Sequence, residues 1–90
     1  MYNRVMLIGR LTRDPEFKRT RSGTGLTTFT LAVDRKFKSA SGDKEADFIR
    51  IVAWDKLGEL CKQYLGKGQM TAVEGRLQVL LVEEPPGAVL

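Results

Sequence analysis

Residues 46–65 read ADFIRIVAWDKLGELCKQYL, and the hydrophobic period changes inside them. Over residues 46–54, Ile49, Ile51 and Ala53 fall on one face, while Phe48, Arg50, Val52 and Trp54 fall on the other. That alternation marks a strand with one buried side. Over residues 56–65, Leu57, Leu60, Cys61, Tyr64 and Leu65 recur at i, i+3, i+4, i+7 and i+8, the stripe of a short amphipathic helix. Asp55 is placed to cap the N-terminus of that helix, and Gly66 to end it by tolerating left-handed backbone. The chain therefore passes from a strand into a single short helix with almost no connection.

Working outward, residues 26–36 (LTTFTLAVDRK) set Phe29, Leu31 and Val33 on one face and Thr28, Thr30 and Ala32 on the other, a second strand. Residues 39–44 form the loop that makes it a long hairpin with 46–54. Residues 3–11 (NRVMLIGRL) are a further strand, stopped at Asp14-Pro15, where the proline biases its predecessor away from helical geometry. Between these two strands, residues 16–24 (EFKRTRSGT) are polar and basic and lead into a Gly-rich turn. Strand character returns over 70–82 and is broken by Glu83-Glu84-Pro85-Pro86-Gly87.

Three strands, one helix and one long or broken strand predict an all-β protein. The expected architecture is an OB-fold, a five-stranded Greek-key barrel with one short helix between strands 3 and 4. The count falls one strand short, so the last strand is expected to be incomplete or missing. Residues 1–82 form the expected domain and residues 83–90 an atypical C-terminal segment. A barrel lacking its last strand exposes unpaired backbone groups, which favours pairing with another chain.

Composition bounds the chemistry. Ninety residues make one small domain, which buries only about two-thirds of its unfolded surface, so a partner subunit would help. With no His and one Cys, the sequence lacks His-based acid–base chemistry, the usual transition-metal ligand sets and any intramolecular disulfide. Neither a cofactor nor a metal is expected, and the protein is not read as an enzyme. The formal net charge is +4, favouring polyanionic partners. One lone thiol and no signal peptide or membrane span predict a cytoplasmic protein.

The outward face of residues 46–54 carries the functional signal. Phe48, Arg50 and Trp54 alternate aromatic, basic, aromatic. A base stacked on a ring gains about 1–3 kcal/mol whatever its identity, and a cation between rings meets the linking phosphates. The same face would also suit a second hydrophobic layer or a subunit interface. Basic residues gather around it: Arg35, Lys36 and Lys38 surround Phe37, and Lys56 follows Trp54. Strand parity places Phe37 with Phe29 and Val33, so its exposure requires a bulge or a reset of register. Lys18-Arg19-Thr20-Arg21 reads either as a solvated loop or as a clamp on phosphates.

Four separated stretches, NRVMLIGRLTRDPEF, FTLAVDRKF, DFIRIVAWDKLGELCKQYLGKG and VEGRLQ, together resemble the bacterial single-stranded DNA-binding protein family over residues 1 to about 78. The resemblance implies an OB-fold, usually in a homotetramer, that binds single-stranded DNA in replication, recombination and repair. By position it implies stacking residues at Phe37, Phe48 and Trp54, and phosphate contacts at Arg4, Lys18, Arg50, Lys56 and Lys67. After GRLQ the chain reads VLLVEEPPGAVL, where the family continues with a basic aromatic hairpin, a final strand, a linker and an acidic tail. Tail-mediated contacts with replication and repair proteins are therefore not expected, and binding is expected to be weaker and over a smaller site. Two other readings stay open: a dimer like the primosomal replication protein, and an OB-fold module that binds RNA or tRNA.

Overall fold

The alternation of residues 46–54 becomes the central strand of a closed barrel. A computed structural model describes residues 1–36, 42, 45–78 and 87–90. Along the chain these form β1 (Val5–Leu11), β2 (Glu16–Arg19), β3 (Gly25–Asp34), β4 (Ala46–Trp54), α1 (Asp55–Tyr64), β5 (Met70–Gln78) and β6 (Gly87–Val89). The sheet runs β1-β5-β6-β4-β3-β2, and an additional β1–β3 pairing closes five of these strands into a barrel with β2 outside it. This is the OB-fold architecture read from the sequence.

Two expectations about the chain are corrected. The last strand is short but not missing: the three residues Gly87–Val89, within the stretch set apart by composition, pair antiparallel with β5 and parallel with β4. Its carbonyls lie so close to β5 that a Cβ at Gly75 would collide with the Val89 carbonyl oxygen, so only glycine fits there. The open edge argued from a missing strand is thereby sealed. The polar stretch after Pro15 also contains a strand, since Glu16–Arg19 pairs with β3. Its charged sequence, EFKR, guards the edge that β2 presents.

The core is assembled from alternate residues. Leu11, Phe29, Leu31, Ile51, Ala53, Val73 and Ala88 are buried from five strands, and Cys61 seals them from α1. Leu31 and Ile51 are fully buried and face each other's strands from the inner side; each such side chain contributes about 1.5–3 kcal/mol. Burial pushes the Cys61 thiol pKa up, because a thiolate is poorly solvated there.

The β4–α1 junction departs from its expected form. Asp55 does not cap the helix; Trp54 occupies the N-cap position without a side-chain hydrogen bond. Asp55 instead turns the chain with φ +53, a left-handed conformation that Asp tolerates better than most residues. At the other end Leu65 closes the helix through its N–H to the Cys61 carbonyl, and the left-handed glycine is Gly68, not Gly66. Gly58 lets the helix dock: a Cβ there would meet the Ala53 carbonyl.

Candidate nucleic-acid interface

The outward face of β4 carries Phe48, Arg50, Val52 and Trp54, while Ile49, Ile51 and Ala53 turn inward. Same-face neighbours on a strand stand about 7 Å apart. Across the ladder, Phe48 lies opposite Ala32, Arg50 opposite Thr30, Val52 opposite Thr28 and Trp54 opposite Leu26. The smaller Ala32, Thr30 and Thr28 of β3 leave a shallow floor beside Phe48 and Arg50 of β4. Phe48 is 67% exposed and Trp54 39%. The indole therefore lies outside the barrel core.

Among the described residues, two grooves border this face. The first, of 360 Å³, is lined by Arg13, Lys18, Thr28, Thr30 and Arg50, with Asp14 and Glu16 at its side. Here β2 and β4 bring Lys18 and Arg50 to opposite sides of β3, through the pairs Lys18–Leu26 and Arg50–Thr30. Lys18 also reaches Glu16 at 3.9 Å. Both groups are exposed, so that pair is weak and open to exchange for a phosphate. The second groove, of 620 Å³, sets Trp54 with Tyr2, Arg4, Glu74 and Arg76. Arg4 forms an ion pair with Glu74; hydrogen bonding to Tyr2 and the nearby Glu74 carboxylate hold the guanidinium pKa above its usual range.

The residues singled out from sequence are thus distributed as follows. Lys18 and Arg50 share one groove, and Arg4 and Trp54 share the other. Phe48 stands further along the same β4 face. Lys56 is exposed in the first turn of α1, and Lys67 is exposed in the turn before β5, where its backbone N–H donates to Asp14 Oδ1 at 2.8 Å. Neither lysine lines either groove. Phe37 and Lys38 lie outside the described residues.

Arg35 and Arg19, cations bordering this face, are engaged in structural contacts. Arg35 donates to Asp47 Oδ1 at 2.8 and 3.1 Å and to Glu45 Oε2 at 3.0 Å, tying together the ends of β3 and β4. Those carboxylates also hold its pKa above the usual value. Arg19 folds over the Phe17 ring and donates to the Gly23 carbonyl at 3.1 Å, which binds it into the β2–β3 turn. Tyr2 and Arg13 escaped the sequence reading as groove residues, while Arg76, a basic residue for which a surface role and a contact are equally open from sequence, lines the Trp54 groove. Tyr2 precedes the first strand, and its neighbours come from β5 and the C-terminal strand.

A five-stranded barrel whose outward strand face carries rings and cations defines an oligonucleotide-binding class of domain. The Single-strand binding protein family profile matches residues 2–88, and the chain belongs to that family. It is 49% identical over 87 residues to single-stranded DNA-binding protein 1 of Staphylococcus aureus (strain MSSA476), covering 97% of this chain and 56% of that protein. It is equally 49% identical to single-stranded DNA-binding protein 2 of Staphylococcus aureus (strain Mu50 / ATCC 700699), covering 97% and 62%. A relative from Listeria innocua, also a single-stranded DNA-binding protein 2, is 47% identical with 97% and 55% covered. The chain spans a little over half the length of these relatives.

Proposed function

We propose that this chain binds single-stranded DNA without sequence preference, in replication, recombination and repair. Bases stack on Trp54 and Phe48, with Phe37 as a third ring, and phosphates meet Arg4, Lys18, Arg50, Lys56 and Lys67. The observation that carries this is the outward face of β4, where two exposed rings flank Arg50 between grooves lined by arginine and lysine. Family membership and the names of the relatives support it. The chemistry is that of a binding protein, with stacking and charge supplying the affinity. No described helix is long and apolar enough to cross a membrane, and a cytoplasmic setting goes with this reading.

Association into a homo-oligomer, a tetramer or a dimer, is part of the proposal. Its support is the outer face of β1 and β5. Met6, Ile8 and Met70 are 65%, 59% and 58% exposed, and Ile8 pairs with Ala72 across the ladder. Met6 lies opposite Glu74 and Met70 opposite Arg10, so this is an apolar centre with charges at its ends, a pattern that fits a second copy better than it fits water.

The test is titration of the intrinsic fluorescence with oligothymidylate, because Trp54 is the sole tryptophan. Quenching that weakens as salt rises is expected. Duplex DNA and structured RNA serve as competitors. Preference for folded RNA, or an unresponsive Trp54, would overturn the reading.

A further inference from the structure

The groove beside Trp54 is built by an N-terminal segment that the assignments above leave largely unused. Asn3 holds that segment in place by gripping both backbone groups of Leu77. Its Nδ2 donates to the Leu77 carbonyl at 2.8 Å, and its Oδ1 accepts from the Leu77 N–H at 2.9 Å. A carboxamide in this pose supplies one donor and one acceptor, as a paired strand would. The residues before β1 are thus fixed to the far end of β5.

Tyr2 is held within this arrangement. Beside it Arg4 lines the same groove and is itself paired with Glu74. Yet the residue remains 84% exposed. A ring whose chain neighbour Asn3 is anchored, but which is itself left in solvent, adds little to core packing. Across the same groove stands Trp54, with Arg76 on the groove wall. Arg76 forms no ion pair among the described residues.

We propose that this groove is a nucleotide subsite in which Tyr2 and Trp54 grip one base of a single strand and Arg76 takes an adjoining phosphate. Arg4, paired with Glu74 in the same groove, presents its remaining donors to the same strand. The subsite rests on the single-strand reading above and extends it around the barrel, from the β4 face to the N-terminal segment. It accommodates any base, since rings stack on every base face.

The experiment is a double-mutant cycle on the full chain, Tyr2→Leu, Trp54→Leu and both together, read by anisotropy of a fluorescently labelled oligothymidylate. Tyr2→Leu should weaken binding about 5- to 150-fold without changing the salt dependence. Tyr2→Phe should stay near wild type, and Arg76→Ala should lower the salt slope by about 0.7. The double variant should lose less than the product of the single losses, because both rings hold one base. An iodouracil-substituted oligothymidylate should photocrosslink to Tyr2. Wild-type binding with an unaffected Tyr2→Leu variant, or single losses that multiply independently, overturns the subsite and leaves the parent reading standing. Failure of the wild type to bind oligothymidylate at low salt brings down both.

Discussion

The hydroxyl of Thr27 donates to the carbonyl of Gly58 across a 2.7 Å buried hydrogen bond. Thr27 is completely buried on β3, and Gly58 is a buried residue of α1. This one contact locks the helix onto the strand that runs beside β4. The β4–α1 junction holding Trp54 is therefore braced from the side opposite its exposed face. Thr27→Val should cost about 1–2 kcal/mol, the value of a buried hydrogen bond with some unmet polarity. Gly58→Ala should cost about 1–3 kcal/mol through the collision with the Ala53 carbonyl. Urea denaturation measures both.

Stacking and charge are expected to separate cleanly in the binding data. Trp54→Ala or Phe48→Ala should each lose about 1–3 kcal/mol of affinity for oligothymidylate with little change in salt slope. Lys18→Ala or Arg50→Ala should each reduce the slope of log K against log salt by about 0.7. Anisotropy titrations at several salt concentrations decide it. A Trp54→Ala variant that changed only the salt slope would contradict the stacking role.

Ile8→Glu places a charge at the apolar centre of the outer β1–β5 face, where Ile8 stands opposite Ala72. The barrel itself should remain folded, because Ile8 is 59% exposed. Sedimentation velocity should show a shift to smaller species at micromolar concentration. An unchanged sedimentation coefficient would move the subunit contact elsewhere.

Alkaline stability should carry the imprint of Cys61. Its folded pKa is raised by burial above the ordinary thiol value, so the folded state keeps the proton where the unfolded thiol has begun to lose it. Stability from this group is fully present below the ordinary thiol pKa and declines as pH rises toward the raised folded value. Cys61→Ala should remove that part of the decline in a pH series of denaturation midpoints, at the cost of a small cavity. An identical alkaline slope in the variant would exclude the thiol as its source.

The main elements were legible where local pattern and burial agree. The inward set Ile49, Ile51, Ala53 and the outward set Phe48, Arg50, Trp54 follow from alternation alone. The helix showed in its stripe, although Leu57 and Leu60 at 45% and 47% exposure face outward more than the stripe implies. β2 was illegible because four residues, EFKR, show no period against a charged background. β6 was illegible because three small residues after a proline pair carry no strand signal; its place is set by the gap between β4 and β5. The cap assigned to Asp55 failed because the abrupt turn demanded a left-handed residue at that position. Much of the Trp54 groove depends on Asn3 meeting Leu77, a contact spanning 74 positions that no local pattern encodes.

The position of β6 also sets the order of events at the ribosome. It wedges between β4 and β5, two strands made well before it, so nothing synthesised ahead of residue 87 can seal the barrel. A nascent chain carrying β1 to β5 still presents the flanks of β4 and β5 as unsatisfied templates, the kind of intermediate that invites mispairing with neighbours on the same polysome. Chaperone cover over the interval before β6 is made is worth more to this domain than to a fold whose neighbours in space are neighbours in sequence.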